Sequence, residues 1–157
     1  MIGLIQRVSQ ARVEIENKIV ASINAGLLLF LCIEKNDAEA QCDQMLSRVI
    51  KLRIFSDKSG NMNNSLMSID GLGSLGGLLV VSQFTLAADL SSGSRPCFSS
   101  AADPNRGRVL YDYFLMQATK FQPDLQKGQF GKNMQVTLVN DGPVTIPLRV
   151  TSSMSDS

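Results

Sequence analysis

The sequence predicts one domain of mixed α/β class, with strands in its first and last thirds and two main α-helices between them. Three observations carry this. The chain has 157 residues, 44% of them hydrophobic, which suits one core of usual domain size. Near both ends apolar residues alternate with polar ones, the period of a half-buried strand. Two internal stretches instead repeat apolar residues at helical spacing. Pro and Gly number 5 and 12, so no collagen-like or linker-like segment dominates.

Ile2, Leu4 and Val8 mark an opening extended run, and Ala11 to Ile15 sets Val13 and Ile15 against Arg12 and Glu14. Glu16-Asn17-Lys18 reads as a polar turn, and Ile19 to Ile23 as the second arm of a hairpin. Leu27 to Ile33 is continuously apolar, which predicts a central strand buried on both faces. A helix follows, with Asn36 or Asp37 as its expected cap and Glu39 in the first turn, where the dipole favours acids. Cys42, Met45, Leu46, Val49 and Ile50 fall on one side of it, and Lys51 and Arg53 lie near its end.

Arg53-Ile54-Phe55 begins a short strand, Ser56 to Asn64 is a turn cluster, and Ser65 to Ile69 is the expected return strand. Asp70 to Gly77 is glycine-rich and reads as flexible, without the Gly-Lys ending of a phosphate loop. Leu78 to Val81 is a second buried strand that runs into Ser82-Gln83-Phe84-Thr85-Leu86, and Ala87 to Ser100 is a long polar loop. Asp103 caps and Pro104 opens the second helix. Its expected buried face is Leu110, Tyr113, Phe114, Gln117, Ala118 and Phe121, with Pro123 past its end. Met134, Val136 and Leu138 alternate in a further strand, Asn140 to Thr145 reads as a turn between apolar runs, and Thr151 to Ser157 is a polar, frayed tail.

The composition excludes several chemistries. With no histidine, Ser-His-Asp and Cys-His arrangements and His-bound zinc are ruled out. What remains are carboxylates, hydroxyls, backbone amides or groups carried by the substrate. A net charge of +1 rules out holding long nucleic acid by charge alone, though not gripping a short end. Cys32, Cys42 and Cys97 form no CxxC pair and read as buried or half-buried thiols in a reducing, cytoplasmic protein. The Met1–Arg7 segment meets a charge too early for a secretory signal, and no run of about 18 apolar residues marks a membrane span. No metal or cofactor is expected.

Two segments carry chemistry. Ser82-Gln83-Phe84-Thr85 ends a buried strand, where hydroxyls, an amide and unpaired N–H groups suit stabilisation of an oxyanion. The same hydroxyls can instead simply end the strand by turn hydrogen bonds. In Asn140-Asp141-Gly142-Pro143-Val144-Thr145, Gly tolerates unusual torsions and the X-Pro bond accepts the cis form. An ordinary tight turn is the other reading.

On Gln6-Arg7-Val8, Ser82-Gln83-Phe84-Thr85-Leu86, Gly93-Ser94-Arg95-Pro96-Cys97-Phe98 and Asn140 to Thr145, in that order within residues 1–150, the chain resembles the D-aminoacyl-tRNA deacylases, the D-tyrosyl-tRNA deacylase family. The resemblance implies a cytoplasmic homodimer. It implies two packed, mostly antiparallel or mixed sheets that form a barrel-like core with the two helices. It implies hydrolysis of the ester joining a D-amino acid to the 3′ adenosine of tRNA, and removal of glycine mischarged onto tRNA. Gly142-Pro143 would be cis and enter the partner subunit's pocket. Its carbonyls would hold the substrate amino group and leave no room for an L side chain, with Arg7 fixing the element. Backbone amides of Ser82, Gln83, Phe84 and Thr85 would form the oxyanion side. Phe130 and Gly131 through Met134 would hold the terminal adenine, although Lys132-Asn133 stands where the family pattern has Ala-Asp. The implied partner is the aminoacylated 3′ end of tRNA, with no DNA and no membrane.

A histidine-free hydrolase fits this substrate. An aminoacyl ester is already activated, so positioning and an oxyanion donor, worth roughly 3–4 kcal/mol, supply much of the rate. The adjacent ribose 2′-hydroxyl can orient the water. A rival mechanism makes Thr85 a covalent nucleophile with Asp89 as its base. Lys127, Lys132, Arg106 and Arg108 read either as a basic rim for RNA or as solvated surface charge. Two other functions stay open at this stage: a non-catalytic RNA-end-binding module on the same fold, and a general small-ester or thioester hydrolase.

Overall fold

Glu16 and Asn17 adopt positive φ, 49° and 63°, giving the two-residue turn whose twist matches the strands it joins. It links β1 (Ile2–Ile15) to β2 (Lys18–Ile23). In the computed structural model, which describes residues 1–152, β1 is the strand on which the sheet is built. It pairs antiparallel with β2 through residues 11–15, with β3 (Gly26–Cys32) through residues 2–8, and with β8 (Gln135–Arg149) along most of its length. β3 continues in parallel to β6 (Gly77–Ser82), and β6 in parallel to β7 (Gln126–Lys127). The resulting six-stranded sheet curls until β2 touches β6 and β7, a nearly closed barrel of the expected mixed α/β class.

Each parallel pairing needs a crossover, and a helix supplies it. α1 (Glu39–Lys51) buries Cys42, Met45, Leu46, Val49 and Ile50, the stripe its spacing predicts. Its cap is Ala38, not Asn36 or Asp37. The Ala38 N–H donates to Gln41 Oε1 at 2.8 Å. Asp37 is drawn away: its carboxylate accepts from the Glu34 N–H at 2.7 Å and from the Met1 ammonium at 2.8 Å. Arg53 lies beyond α1, in β4 (Arg53–Ser56).

The second sheet is the hairpin of β4 with β5 (Met62–Ser65). The return strand starts earlier than expected because the Asp57 carboxylate collects the Ser59 and Asn61 N–H groups, at 2.8 and 3.0 Å, and tightens the turn. Leu66–Ser68, expected as strand, is a 3₁₀ turn capped by the Ser65 hydroxyl. The following glycine-rich segment is pinned, since the Asp70 carboxylate accepts from the Leu72 and Ser74 N–H groups at 2.8 and 3.1 Å.

α2 (Pro104–Ala118) starts as the sequence predicts, with the Asp103 carboxylate accepting from the Asn105 and Arg106 N–H groups at 3.1 and 3.2 Å. Its buried face is corrected in part. Tyr111 and Leu115 are buried beside Leu110, Phe114 and Ala118, Tyr113 and Gln117 are half-buried, and Phe121 is exposed past the helix end. Tyr111 goes inside because its hydroxyl donates to the Val80 carbonyl at 3.1 Å, so the polar tip is satisfied.

Two cores result. One lies between sheet and helices and joins Ile5, Leu29 and Val80 to Met45, Val49 and Phe114. The other fills the curl with Val8, Val13, Ala21, Leu28, Leu79 and Val81. β3 feeds both, Leu27, Leu29 and Leu31 to the first and Leu28 to the second, which is why its apolar run is unbroken. Where β3 and β6 begin, a Cβ on Gly26 would meet the Gly77 carbonyl oxygen at 2.0 Å, so the approach requires glycine. Asn140 to Thr145 is not a turn between two strands. It is an irregular stretch of β8, where the pairing with β1 shifts register on either side of Val8. The tail expected over residues 151–157 lies, from residue 153 on, outside the described residues.

Candidate active site

At the end of β6 the Gln83 N–H still reaches the Leu31 carbonyl at 2.8 Å, and the chain then enters a 3₁₀ turn over Phe84–Ala87. Such a turn leaves its first amides unpartnered. The Leu86 and Ala88 N–H groups turn back to the Gln83 and Thr85 carbonyls, at 3.3 and 3.1 Å, and no side chain caps the start. Among the described residues, the Phe84 and Thr85 amides find no acceptor.

A cleft of about 640 Å³ opens beside this strand end, a volume suited to a small organic group. Ser82, Gln83 and Phe84 form one part of its wall, and Phe130, Gly131 and Met134 another. Phe98 from the long loop meets Phe84 edge-on, with ring centroids 5.0 Å apart, and Pro104 at the start of α2 completes the lining on that side. Phe130 is held from behind by Tyr111, centroids 5.6 Å apart. Gly131 takes φ 74°, and the Lys132 N–H closes the turn on the Gln129 carbonyl at 3.2 Å. Six of the sequence candidates therefore meet: Ser82, Gln83, Phe84, Phe130, Gly131 and Met134.

Thr85 stands beside the cleft without lining it, and its hydroxyl oxygen accepts from the Gln83 side-chain amide. Asp89 makes no hydrogen bond to Thr85. Its carboxylate accepts from the Ser91 N–H at 2.8 Å, and hydrogen bonds from Ser91 hold its pKa below the usual carboxylate range.

Arg7, Gly142 and Pro143 lie elsewhere and do not line this cleft. The Gly142-Pro143 bond is cis, Gly142 has φ 146°, and both residues are exposed. Arg7 braces them: Nε donates to the Asp141 carbonyl at 2.9 Å and Nη1 to the Ile54 carbonyl at 2.6 Å. Asn140 braces the other side, accepting from the Val144 N–H at 2.7 Å and donating to the Thr145 hydroxyl at 2.8 Å.

Of the four candidate rim cations, Lys132 alone lines the cleft. Arg106 donates to the Asp37 carbonyl, Lys127 borders a separate depression with Asp112 and Leu115, and Arg108 is exposed. The sequence does not mark Phe98 or Pro104 as site residues, because Phe98 stands in the Gly93–Phe98 motif of the long loop and Pro104 carries only the signal of a helix start.

A model of the family described as D-Tyr-tRNA(Tyr) deacylase matches residues 4–149. The chain belongs to that family. A deacylase is a hydrolase, so the D-Tyr-tRNA(Tyr) deacylase family is one of enzymes. A protein of Albidiferax ferrireducens named D-aminoacyl-tRNA deacylase is 62% identical over 150 residues, covering 96% of this chain and 94% of that protein. One of the same name from Polaromonas naphthalenivorans is 56% identical, covering 96% and 97%. Among solved structures, a c-Myc DNA unwinding element binding protein superposes with TM-score 0.88 at 33% identity, covering 97% of this chain and all 100% of the other. A probable eukaryotic D-amino acid tRNA deacylase gives TM-score 0.77 at 14% identity over 94% of this chain and 97% of the other, a likeness of fold.

In this member of the D-Tyr-tRNA(Tyr) deacylase family the thiols divide sharply. Burial pushes Cys32 up to about 11 and Cys42 up to about 12. Cys97, expected to be buried or half-buried, is exposed, because its loop carries the chain over the surface. The Ser99 hydroxyl lowers its pKa by hydrogen bonding. No helix among the described residues is long and apolar enough to cross a membrane.

Proposed function

We propose that this chain hydrolyses the ester between a D-amino acid and the 3′-terminal adenosine of tRNA, releasing free tRNA and the D-amino acid. The same reaction clears glycine from mischarged tRNA. The observation that carries the reading is the cleft of nucleoside size whose wall is the amide-bearing end of β6. The Phe84 amide in the cleft wall, with the Thr85 amide next to it beside the cleft, stabilises the oxyanion formed when water attacks the ester carbonyl, and Ser82 and Gln83 adjoin them. The segment from Phe130 to Met134 holds the adenine. The ribose 2′-hydroxyl of the substrate orients the water, which answers the lack of histidine. Thr85 acts through its amide rather than as a nucleophile, because Gln83 occupies its hydroxyl and no base stands at hydrogen-bond distance among the described residues.

Selection against L-amino acids falls to Gly142-Pro143 of a second copy. The chain's own Gly142-Pro143 does not line its own cleft, so in this reading a second copy brings the element there. The sheet supports such a partner. Leu4 stands opposite both Phe30 and Pro147 on the face away from the helices, and Ile2, Leu4 and Phe30 are only half-buried while Pro147 is exposed. A two-fold homodimer covers such a face with its own copy. A main-chain wall ignores side-chain identity, so one enzyme serves many D-residues. The net charge of +1 favours a short RNA end over a DNA duplex, and an exposed free thiol suits the cytoplasm.

The test is release of amino acid from tRNA charged in parallel with one amino acid in its D and L forms. The reading expects rapid release of the D form and spontaneous loss alone of the L form. No release, or equal rates for both, would contradict it. Two further substrates and variants sort the mechanism. A terminal 2′-deoxyadenosine is expected to slow hydrolysis about a hundredfold or more, the effect of a lost catalytic hydrogen bond. Thr85→Ala is expected to keep most of the rate, and its near-complete loss would return Thr85 to the role of nucleophile.

A further inference from the structure

We propose that the Lys132 ammonium binds the 5′-phosphate of the nucleotide whose ribose carries the ester, so that the cleft takes a 3′-aminoacylated nucleotide in preference to a nucleoside. The inference rests on the proposed function and extends it to a charged contact. Among the described residues that line the cleft, Lys132 is the one that carries a charge. It is exposed and makes no ion pair among the described residues, so its charge is free to meet a ligand anion. The turn at Gly131 and the bond from the Lys132 N–H to Gln129 set it at the cleft, on a different stretch of wall from Ser82-Gln83-Phe84. In a terminal adenosine, the 3′ ester and the 5′-phosphate likewise leave the ribose at different carbons.

Another electropositive feature reaches the same cleft, the start of α2 at Pro104. It is already occupied, because the Asp103 carboxylate takes the Asn105 and Arg106 amides. Lysine is thus the positive group left for an anion. No carboxylate of the described residues lines the cleft, so a phosphate entering it meets no like charge from them.

The test compares two minimal substrates, the 3′-O-D-aminoacyl esters of adenosine 5′-monophosphate and of adenosine. The readout is the ratio of their kcat/KM values. In the parent protein the ratio is expected to exceed one and to shrink as salt is added, because an exposed ion pair is screened. Lys132→Gln is expected to lower it about fivefold, as fits one charge-assisted contact at an exposed site. Lys132→Arg is expected to restore most of it. A ratio in Lys132→Gln equal to that of the parent, or a parent ratio indifferent to salt, overturns the inference. Hydrolysis of both esters at a ratio of one removes the role of the lysine and leaves the functional reading standing. Failure of the parent to hydrolyse both small esters while it hydrolyses the tRNA ester overturns the inference alone, and failure on all three removes both.

Discussion

Gly142 is the residue at which the backbone leaves least choice. Its φ is 146°, and a Cβ there would lie 2.7 Å from Val144 Cγ2 and 2.9 Å from the Val144 amide nitrogen. Gly142→Ala should therefore displace the exposed rim without emptying either core. We expect deacylation of D-aminoacyl-tRNA to fall at least about tenfold, the scale of 1–3 kcal/mol of local strain, while the same strain lowers the thermal midpoint by roughly 2–12 °C. A Gly-Pro pair was legible in the sequence as a special torsion. The engagement of the Thr85 hydroxyl was not, since spacing cannot show that Gln83 folds back onto it. The thiols offer a second residue-scale test. Iodoacetamide at neutral pH should label Cys97 first and leave Cys32 and Cys42 protected, as mass spectrometry of the folded protein would report. Equal labelling of all three would contradict the burial assigned to them.

At the scale of elements, the apolar stripes predicted both helices, while their polar details depended on partners from elsewhere in the chain. The spacing of Leu110, Phe114, Leu115 and Ala118 places Tyr111 rather than Tyr113 on the buried face of α2, and what that pattern does not show is the Val80 carbonyl that accepts from the Tyr111 hydroxyl. Tyr111→Phe should cost about 1 kcal/mol, read as a lower denaturant midpoint. Likewise, the sequence could not show that Asp37 would leave the cap of α1 for the Met1 ammonium and Glu34. Cys32 on β3 and Cys42 on α1 couple these elements to pH. An unfolded chain gives up these protons near 9.0, whereas the fold holds them to about 11 and about 12. Between those values the unfolded state binds fewer protons, so stability falls as pH rises. The thermal midpoint should drop above pH 9, and replacing both cysteines by alanine should flatten that drop.

For the whole molecule, the unbroken apolar runs at Leu27 and Leu78 announced strands buried on both faces, and the two are indeed parallel neighbours. The curl of the sheet and the irregularity in β8 were hidden. Both depend on register, and register is set by contacts between segments far apart in the chain. The same holds for the site. Its strand-end motif and its Phe130–Met134 wall were legible, but their meeting with Phe98 and Pro104 follows from how the long loop and α2 pack. One chain thus carries two parts of the proposed site, a cleft and a Gly142-Pro143 rim, which do not meet within it.

Mixing two differently disabled proteins tests that division most directly. Ser82→Trp should plug the cleft, Gly142→Ala should spoil the rim, and each alone should keep at most about a tenth of the parent rate on D-aminoacyl-tRNA. In the proposed dimer, mixed pairing would set the intact rim of one subunit in the open cleft of the other. After the two variants are exchanged in equal amounts, deacylation should return to about a quarter of the parent rate, since half of randomly paired dimers hold one sound site of two. If the mixture stays as inactive as its components although the subunits have exchanged, the site is not shared between two chains.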